Sequence, residues 1–281
     1  MIIEKKSMDK FSVVMSVYKN DMPEHFDVAL ASITMEQSVK PDEIVLVVDG
    51  PVPDGINSVI EKYEALYPNM FQIVRLEKNG GLGNALRFAV EKANNELIAR
   101  MDSDDIALPT RFEQQLKIFA QNLQLDIVGG DITEFIDKAD NIVGKRVVPQ
   151  KDTDIKTYMQ TRCAMNHVTV MYKKSAVLKV GNYIDWFWNE DYYLWIRMQQ
   201  GNCNFANTGT VLVNVRVGND MYQRRGGKKY YQSEKGLQDY MLKHNMINKP
   251  TYFVNVMKRW IVQIALPNSV RGWVYKKFAR N

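Results

Sequence analysis

The sequence predicts an α/β fold in which a mostly parallel central sheet is flanked by helices, with a helical tail at the C-terminal end. Three observations predict it. Strand-like apolar segments alternate with amphipathic helical segments in the first half of the chain. Several strand segments are nearly continuous apolar runs, which is typical of strands covered on both faces. Short glycine-rich or acidic segments follow the strands, as expected for connections in such a sheet.

The elements are predicted in chain order. The strands are expected at Phe11–Tyr18, Glu43–Val48, Phe71–Leu76 and Leu97–Met101. Helices are expected at Glu24–Gln37, Ile56–Tyr67 and Asn84–Ala93, and a further one begins near Thr110. In the second half the pattern predicts a strand over Val168–Tyr172 and an amphipathic helix over Glu190–Gln200, which Asn189 would cap.

Composition is that of an ordinary globular protein. Of the 281 residues, 46% are hydrophobic and 25% are charged. Cys163 and Cys203 have neither metal-ligand spacing nor a disulfide pattern, which suits a reducing compartment. The polar start of the chain shows no secretory signal, and no uncharged apolar stretch is long enough to span a bilayer. We therefore expect a cytoplasmic protein.

The charge distribution separates a body from a tail. Between Tyr240 and Asn281 there are eight Lys or Arg residues and no Asp or Glu, although the whole chain carries only +5. This asymmetry predicts one domain over residues 1–240 and a basic tail over 241–281. Within the domain we expect two halves, at about 10–105 and about 106–240. Nothing predicts a nucleic-acid partner.

The most informative motif is an acidic cluster, Asp102-Ser103-Asp104-Asp105, directly after the fourth predicted strand. Carboxyl ends of strands are where open α/β sheets bind ligands. Carboxylates this close repel one another, and a hard divalent cation, Mg²⁺ or Mn²⁺, would hold them together. The alternative is a solvated turn that caps the following helix.

Other strand ends carry groups suited to a nucleotide. Ser16 and Tyr18 end the first strand, Asp49 ends the second, and Asn79-Gly80-Gly81-Leu82-Gly83 follows the third. Glycines let the backbone approach a ribose or phosphate closely, although each segment alone is equally consistent with a turn. The loop lacks the third glycine of the dinucleotide fingerprint and follows the wrong strand, and no P-loop sequence occurs.

A second acidic motif lies between aromatic residues at the start of the predicted 190–200 helix. Glu190 and Asp191 follow Trp186 and Trp188. A carboxylate at a helix N-terminus beside apolar walls is well placed to act as a general base, and flat rings suit the apolar faces of sugars. Alternatively, the acids serve only the helix dipole and the tryptophans belong to the core.

Two further features are less specific. One is a pair of arginines followed by two glycines, Arg224-Arg225-Gly226-Gly227. Paired guanidinium groups match phosphate oxygens, and the glycines make the segment flexible. His167, before the predicted 168–172 strand, is a candidate metal or phosphate ligand, but a lone histidine at a strand edge is more often structural.

Taken in order and spacing over about residues 10–230, these motifs resemble the family 2 glycosyltransferases. The motifs are the first-strand end, Asp49, the glycine loop, the acidic cluster and the Glu190-Asp191 pair. Asn166-His167 and Arg224-Arg225 look like the subgroup that builds bacterial surface polysaccharides. Ser16 departs from the proline that many members have there. The resemblance implies a GT-A fold and an inverting reaction.

The resemblance also implies roles for individual residues. Asp104 would ligate the metal, and Asp102 would contact the metal or the ribose. Asp191 would remove the proton from the acceptor hydroxyl. The remaining donor-binding candidates are Ser16, Tyr18, Asp49, Asn79, Gly80, Gly83, Arg100, Ser103, Arg224 and Arg225, and the acceptor-binding candidates are Trp186, Trp188 and Glu190.

The expected activity is transfer of a hexose or N-acetylhexosamine from a UDP-sugar to a lipid-linked saccharide acceptor, with Mn²⁺ or Mg²⁺ as cofactor. The half at about 10–105 would bind the nucleotide, and the half at about 106–240 would bind the acceptor. Two alternatives stay open: a nucleotidyltransferase acting on sugar phosphates, and a non-catalytic nucleotide-sugar-binding protein. The first would need a second carboxylate cluster for metal, and the second would be expected to have lost one of the two acidic motifs.

The tail is predicted to form two amphipathic helical segments broken at Pro267, with basic and aromatic residues interleaved. Such segments favour the plane of an anionic membrane surface. The expected location is therefore peripheral, at the inner face of the plasma membrane. The alternative is a helix that packs on the enzyme's own body with its cations in solvent.

Overall fold

The computed structural model describes residues 10–218 and 226–266. Over these residues the chain forms one nine-stranded sheet with helices on both faces. The strands are β1 (Phe11–Val17), β2 (Glu43–Val48), β3 (Phe71–Arg75), β4 (Leu97–Met101), β5 (Ile106–Ala107), β6 (Ile127–Phe135), β7 (Ile142–Arg146), β8 (Met171–Lys173) and β9 (Phe205–Arg216).

The helices alternate with the strands in the first half, as predicted. They are α1 (Pro23–Ile33), α2 (Asp54–Leu66), α3 (Leu82–Lys92), α4 (Arg111–Gln121), α5 (Asp152–Met159), α6 (Lys174–Lys179), α7 (Glu190–Gln200), α8 (Lys228–Lys243) and α9 (Lys249–Trp260). A 3₁₀ turn spans His167–Thr169, and a π-helical turn at Ile261–Ala265 continues α9.

The sheet has the order β3-β2-β1-β4-β8-β6-β9-β5, and β7 pairs with the outer part of β6. β1 to β4 are mutually parallel, which confirms the prediction for the first half. The second half is mixed: β8 runs antiparallel to β4 and β6, whereas β9 runs parallel to β6. Because β1, β2 and β4 run the same way, their carboxyl ends meet at one edge of the sheet.

Alternation along the strands divides the core into two layers. In β1, Val13 and Met15 face the layer that contains α1, α2 and α4, while Val14 faces the layer that contains α3 and α7. All three side chains are fully buried. Successive residues of a strand point to opposite faces, so the apolar runs in β1, β2 and β4 serve both layers at once.

The structure differs from the predicted elements in several places. The strand expected over Val168–Tyr172 begins only at Met171, because the preceding residues form the 3₁₀ turn. There the Thr169 hydroxyl donates to the Asn166 carbonyl oxygen at 2.8 Å, and the Thr169 backbone N–H donates to the same oxygen at 2.9 Å. These local hydrogen bonds compete with strand pairing. Asn189 precedes α7 as predicted, but its side chain does not cap the helix.

The predicted boundary between body and tail falls within a helix. Residue 240 lies inside α8, which runs to Lys243. α9 begins at an Asn248 side chain that accepts from the Thr251 N–H at 2.9 Å, a cap that the sequence pattern had not singled out. Pro267 and the second predicted tail segment lie outside the described residues. Among the described helices, none is long and apolar enough to cross a membrane.

Candidate active site

The carboxyl ends of the parallel strands are joined by two pairs of hydrogen-bonded loops. The Ser103 hydroxyl, after β4, donates to the Asp21 carboxylate, after β1, at 2.8 Å. The same carboxylate accepts from the Tyr18 N–H at 3.0 Å. Asp49, after β2, holds the loop that follows β3. Residues far apart in sequence therefore meet at the carboxyl edge of the parallel strands, where open α/β sheets have their binding cleft.

Asp49 acts as a clamp on the glycine loop. Its carboxylate accepts hydrogen bonds from the N–H groups of Gly80 at 2.7 Å and Gly81 at 3.0 Å, and from the Asn79 amide at 2.9 Å. Gly81 has φ of +86°, a backbone conformation that favours glycine. Asp49 is 3% exposed. The carboxylate thus positions the start of α3, and its predicted role in donor binding stays a prediction.

Arg100, predicted to contact the donor, lies buried beneath the acidic cluster. Its side chain is 1% exposed, and both terminal nitrogens donate to the two carboxylate oxygens of Asp102. Burial opposes its charge, but the paired Asp102 more than offsets this and raises the pKa of Arg100. Arg111 in turn donates to the Arg100 carbonyl oxygen at 2.6 Å. Arg100 therefore orients Asp102 from beneath, and its predicted donor contact stays a prediction.

The acidic cluster concentrates negative charge at the mouth of the cleft. Asp104 opens to solvent, yet crowding by protein atoms raises the pKa of its carboxyl to about 6, and repulsion from Asp102 and Asp21 adds to the rise. Asp105 is buried, and its pKa is raised well above the usual range for the same reasons. Asp105 accepts from the Arg216 backbone N–H at 2.8 Å, which ties the cluster to β9.

These groups fit a divalent cation. Asp104 and Asp102 present oxygen ligands, which Mg²⁺ and Mn²⁺ prefer, and a cation would relieve the repulsion that raises the pKa of Asp104. Within residues 10–218 and 226–266, no set of three or more His, Cys, Asp or Glu side chains is arranged to hold a metal by itself. The remaining ligands would therefore come from solvent or from substrate phosphates, which is usual for Mg²⁺.

The second acidic motif lies across the cleft at the start of α7. Burial raises the pKa of Glu190 to about 7, and the neighbouring Asp191 carboxylate adds to the rise. Asp191 is half-buried and accepts from the Tyr192 N–H at 2.7 Å. A carboxyl group that titrates near neutral pH is suited to general-base work.

Gly83 brings the starts of α3 and α7 together. It lies in the first turn of α3, and a Cβ placed there would be 3.3 Å from the Cβ of Glu190. The absence of a side chain thus lets the N-termini of α3 and α7 approach each other. The structure places this glycine in a packing position between the two halves, and its predicted donor contact stays a prediction.

The two predicted acceptor-binding tryptophans occupy different environments. Trp186 packs on Tyr193, with ring centroids 4.3 Å apart, and its indole N–H donates to the Ser233 carbonyl oxygen at 3.1 Å. This packing anchors the segment to α8 and does not support a sugar contact. Trp188 is 52% exposed, with φ of +56°, and stacks on Phe187 at 4.7 Å. It presents a flat ring to solvent, and its acceptor role stays a prediction.

His167 is not arranged as a metal ligand. Its Nε2 atom lies 2.9 Å from the Tyr183 hydroxyl, and its ring packs against Trp195. Burial, with the nearby Arg100 charge, lowers the pKa of His167 well below its ordinary value. These contacts favour the structural alternative for this histidine, and its predicted role as a metal ligand stays a prediction. Arg224 and Arg225 lie outside the described residues.

The structure adds residues that the sequence patterns did not single out. Asp21 completes the carboxylate group, and Arg216 bridges it to a neighbouring loop, with Nε donating to the Asp104 carbonyl oxygen at 3.1 Å. Arg111 supports Arg100 from α4 and is fully buried. Asp21 follows the Ser16–Tyr18 strand end closely enough to have been a candidate. The two arginines carry no local signal, because their roles depend on strand pairing distant in sequence.

The fold and the paired acidic motifs define a glycosyltransferase of the GT-A class, and comparisons with known proteins agree. The family model "Glycosyl transferase family 2" matches residues 12–184. The chain belongs to this family.

Curated relatives cover nearly the whole chain. A UDP-Gal:α-D-GlcNAc-diphosphoundecaprenol β-1,3-galactosyltransferase from Escherichia coli is 37% identical over 96% of this chain and 97% of its own length. The amylovoran biosynthesis glycosyltransferase AmsE from Erwinia amylovora is 34% identical over 95% and 98%. The chain is thus an enzyme of the family 2 surface-polysaccharide type.

Solved structures share the fold at low sequence identity. S. aureus TarS 1–349 in complex with UDP-GlcNAc superposes with a TM-score of 0.65 at 17% identity, covering 90% of this chain and 72% of that one. A mannosyltransferase from Pyrobaculum calidifontis in complex with GDP-Man and Mn²⁺ gives 0.63 at 14% identity, covering 98% and 76%. At this identity the likeness concerns the fold alone.

Proposed function

We propose that this protein is an inverting, metal-dependent hexosyltransferase that moves a hexose or N-acetylhexosamine from a UDP-sugar to a saccharide carried on a lipid diphosphate. The observation that carries the proposal is the proximity of the two acidic motifs: the Asp102 carboxylate, after β4, adds to the rise in the pKa of Glu190, at the start of α7. One motif suits a metal-bound diphosphate, and the other suits proton removal from an acceptor.

The names of relatives support the substrate classes. The 37% identical relative uses UDP-Gal and an N-acetylglucosaminyl-diphosphoundecaprenol acceptor, and it matches over almost the full length of both chains. Another E. coli relative, 26% identical over 73% of this chain, is a UDP-Glc transferase with the same type of acceptor. These relatives differ in the donor sugar, so the donor class is proposed as UDP-hexose rather than one named sugar.

On the donor side, Asp104 and Asp102 would hold Mn²⁺ or Mg²⁺, which neutralises charge on the departing diphosphate when it is bound. Arg100 keeps Asp102 in one orientation from below. Tyr18, which is 40% exposed, would lie against the base, and Asp49 would hold the glycine loop beside it. Arg224 and Arg225 are proposed to contact the phosphates.

On the acceptor side, Asp191 would accept the proton of the attacking hydroxyl. The acceptor oxygen forms a bond to the anomeric carbon while the bond from that carbon to the diphosphate oxygen breaks, and UDP leaves. A single in-line displacement inverts the configuration and requires no covalent enzyme intermediate. Trp188 offers its exposed ring to the acceptor sugar, and Glu190, beside the base, is proposed to contact the same sugar.

The test is transfer by the purified full chain. UDP-galactose, UDP-glucose and their N-acetyl forms are each offered with a synthetic N-acetylglucosaminyl diphospholipid, in Mn²⁺ or in EDTA, and the product linkage is read by NMR. We expect metal-dependent product of inverted configuration and its loss in Asp191→Asn. A retained configuration, or transfer unaffected by EDTA, would overturn the corresponding part of the proposal. Release of diphosphate from UTP and a sugar phosphate would instead support a nucleotidyltransferase.

A further inference from the structure

The helix α9 packs on the body through its polar side. Asn255 and Gln263 are its buried residues, and the Asn255 amide donates to the Gln238 side-chain oxygen at 2.9 Å and to the Gln160 carbonyl oxygen at 3.0 Å. Arg259 pairs with Glu234 on α8 at 2.9 Å. Polar groups thus fix the orientation of α9, since each would lose hydrogen bonds if the helix turned.

The apolar side of the same helix faces away from the protein. The exposed residues are Phe253 (68%), Val254 (42%), Met257 (57%), Trp260 (50%), Ile261 (42%) and Ile264 (38%). Their positions recur at helical spacing, so they form one continuous stripe along α9 and the π-helical turn. A surface helix normally buries this side and exposes the other. A large exposed apolar stripe of this kind marks an interaction surface.

The charged residues of α9 itself are all cations. Lys249 and Lys258 are exposed on α9, and in sequence Arg271, Lys276 and Lys277 follow shortly after. No Asp or Glu occurs from Tyr240 to the end of the chain. An acidic partner protein would offer charge but no deep apolar layer, whereas a second copy of this helix would bring like charges together. An anionic lipid surface satisfies both the apolar stripe and the cations.

We propose that the outward stripe of α9 and its π-helical turn is a membrane-binding surface that lies in the interface of an anionic bilayer. The polar contacts to α8 hold this stripe outward before any lipid is met, so little ordering is needed on binding. Trp260, half exposed on the stripe, is of the residue type that favours the headgroup region.

The surface lies one helix away from the acceptor side of the site. α8 contacts α9 through Glu234 and Gln238, and on another side its Ser233 hydroxyl accepts from the Asn189 amide at 3.0 Å, directly before the acids of α7. Gly236 of α8 makes room for Trp186 of the same segment. If the proposed function is right, a lipid-linked acceptor would reach α7 while its lipid stays in the bilayer beside α9.

Point variants test this surface better than removal of the tail, because removal would also delete Asn255 and Arg259 contacts to the body. The test variant is the full chain with Phe253→Glu and Trp260→Glu. The matched control carries Leu66→Glu and Leu123→Glu, two leucines that are 52% and 67% exposed elsewhere on the body. Both variants change the net charge equally and remove two exposed apolar side chains.

The first readout is co-sedimentation with phosphatidylglycerol–phosphatidylethanolamine vesicles and with pure phosphatidylcholine vesicles. We expect wild type and control to bind the anionic vesicles, with binding that weakens as salt rises from about 0.1 to about 0.5 M. The test variant should bind at least about tenfold more weakly, given the apolar surface that two large side chains bury. Equal binding by the test variant and the control would overturn the proposal.

The second readout distinguishes membrane binding from the proposed transfer activity and from self-association. Transfer to a short soluble acceptor should be the same in both variants, whereas transfer to a vesicle-borne acceptor should fall only in the test variant. Absence of transfer in every case, with vesicle binding intact, would overturn the proposed function and leave the surface standing. Sedimentation velocity that shows a wild-type dimer lost in the test variant, without vesicle binding, would assign the stripe to self-association and overturn the membrane proposal.

Discussion

Gly83, in the first turn of α3, lies against Glu190, the first residue of α7, so closely that a Cβ on the glycine would be 3.3 Å from the Cβ of the glutamate. α3 belongs to the parallel half of the sheet and follows the loop held by Asp49. α7 belongs to the second half and carries the acid pair. The contact therefore fixes the distance between the N-termini of α3 and α7.

The first prediction concerns this contact. Gly83→Ala should slow transfer, because the added methyl group moves Glu190 and with it the start of α7. The tight contact opposes the roughly 1 kcal/mol by which alanine is favoured over glycine in a helix, so the melting temperature should change little. Steady-state kinetics and thermal denaturation measure both effects. Full activity with raised stability would show that the spacing of the helix starts does not control the chemistry.

The second prediction is a pH dependence. Glu190 has a folded pKa of about 7, against an ordinary value of 4.5. Stability contributed by its neutral form is complete below about 4.5 and is lost as the pH rises through about 7. The melting temperature of wild type, relative to Glu190→Gln, should therefore fall between pH 5 and pH 8. A constant difference across this range would contradict the raised pKa.

The parallel half of the fold was predictable because its signals are local. Apolar runs such as Glu43–Val48 identify strands, and the residues at their ends share one edge whenever the strands are parallel. The sequence did not predict which strands β8 and β9 pair with, or in which direction. β9, for example, pairs with residues of β6 that are more than 70 positions away in the chain. Local periodicity carries no information about such partners.

The third prediction concerns the clamp on the glycine loop. Asp49→Ala should lower the free energy of unfolding by about 2–4 kcal/mol, because three hydrogen bonds to a buried carboxylate are lost. Asp49→Asn keeps one acceptor oxygen and should cost less. Urea denaturation measures the stability, and titration with UDP measures the affinity, which should fall in the same order. If stability is unchanged in both variants, the loop does not depend on the clamp.

Some candidate site residues could be recognised from the sequence alone, whereas for others the surroundings depend on tertiary contacts. The acidic cluster and the Glu190-Asp191 pair were recognisable from residue type and position after a strand or before a helix. Arg100, His167 and Trp186 have the right residue types, yet the structure surrounds each with core or packing partners. Sequence alone does not show which side of an element faces the cleft when both faces are covered, so these three assignments depended on tertiary contacts.

The fourth prediction concerns the metal. Asp104→Ala should abolish metal-dependent UDP binding while raising or preserving the melting temperature in the absence of metal, because it removes a carboxylate that Asp102 and Asp21 repel. Calorimetric titration of UDP with and without Mn²⁺ measures the affinity. Asp140→Ala, which removes an exposed acid between β6 and β7, is the control of equal charge. Unchanged metal-dependent affinity in folded Asp104→Ala would assign the metal to other ligands.

The last prediction separates the two carboxylates of α7. Asp191→Asn keeps the shape of the side chain but removes the basic oxygen, so transfer should fall by about 10²- to 10⁴-fold, the usual contribution of a general base. UDP-sugar affinity should stay nearly unchanged, since the donor side of the cleft is untouched. Glu190→Gln should have a milder effect on the rate. Because this variant removes a negative charge beside Asp191, the apparent pKa of its pH–rate profile should be lower than that of the wild type. Rapid-quench transfer assays over pH 5 to 9 provide both quantities. A crippling Glu190→Gln with a mild Asp191→Asn would assign the base to Glu190, whose pKa of about 7 suits that work.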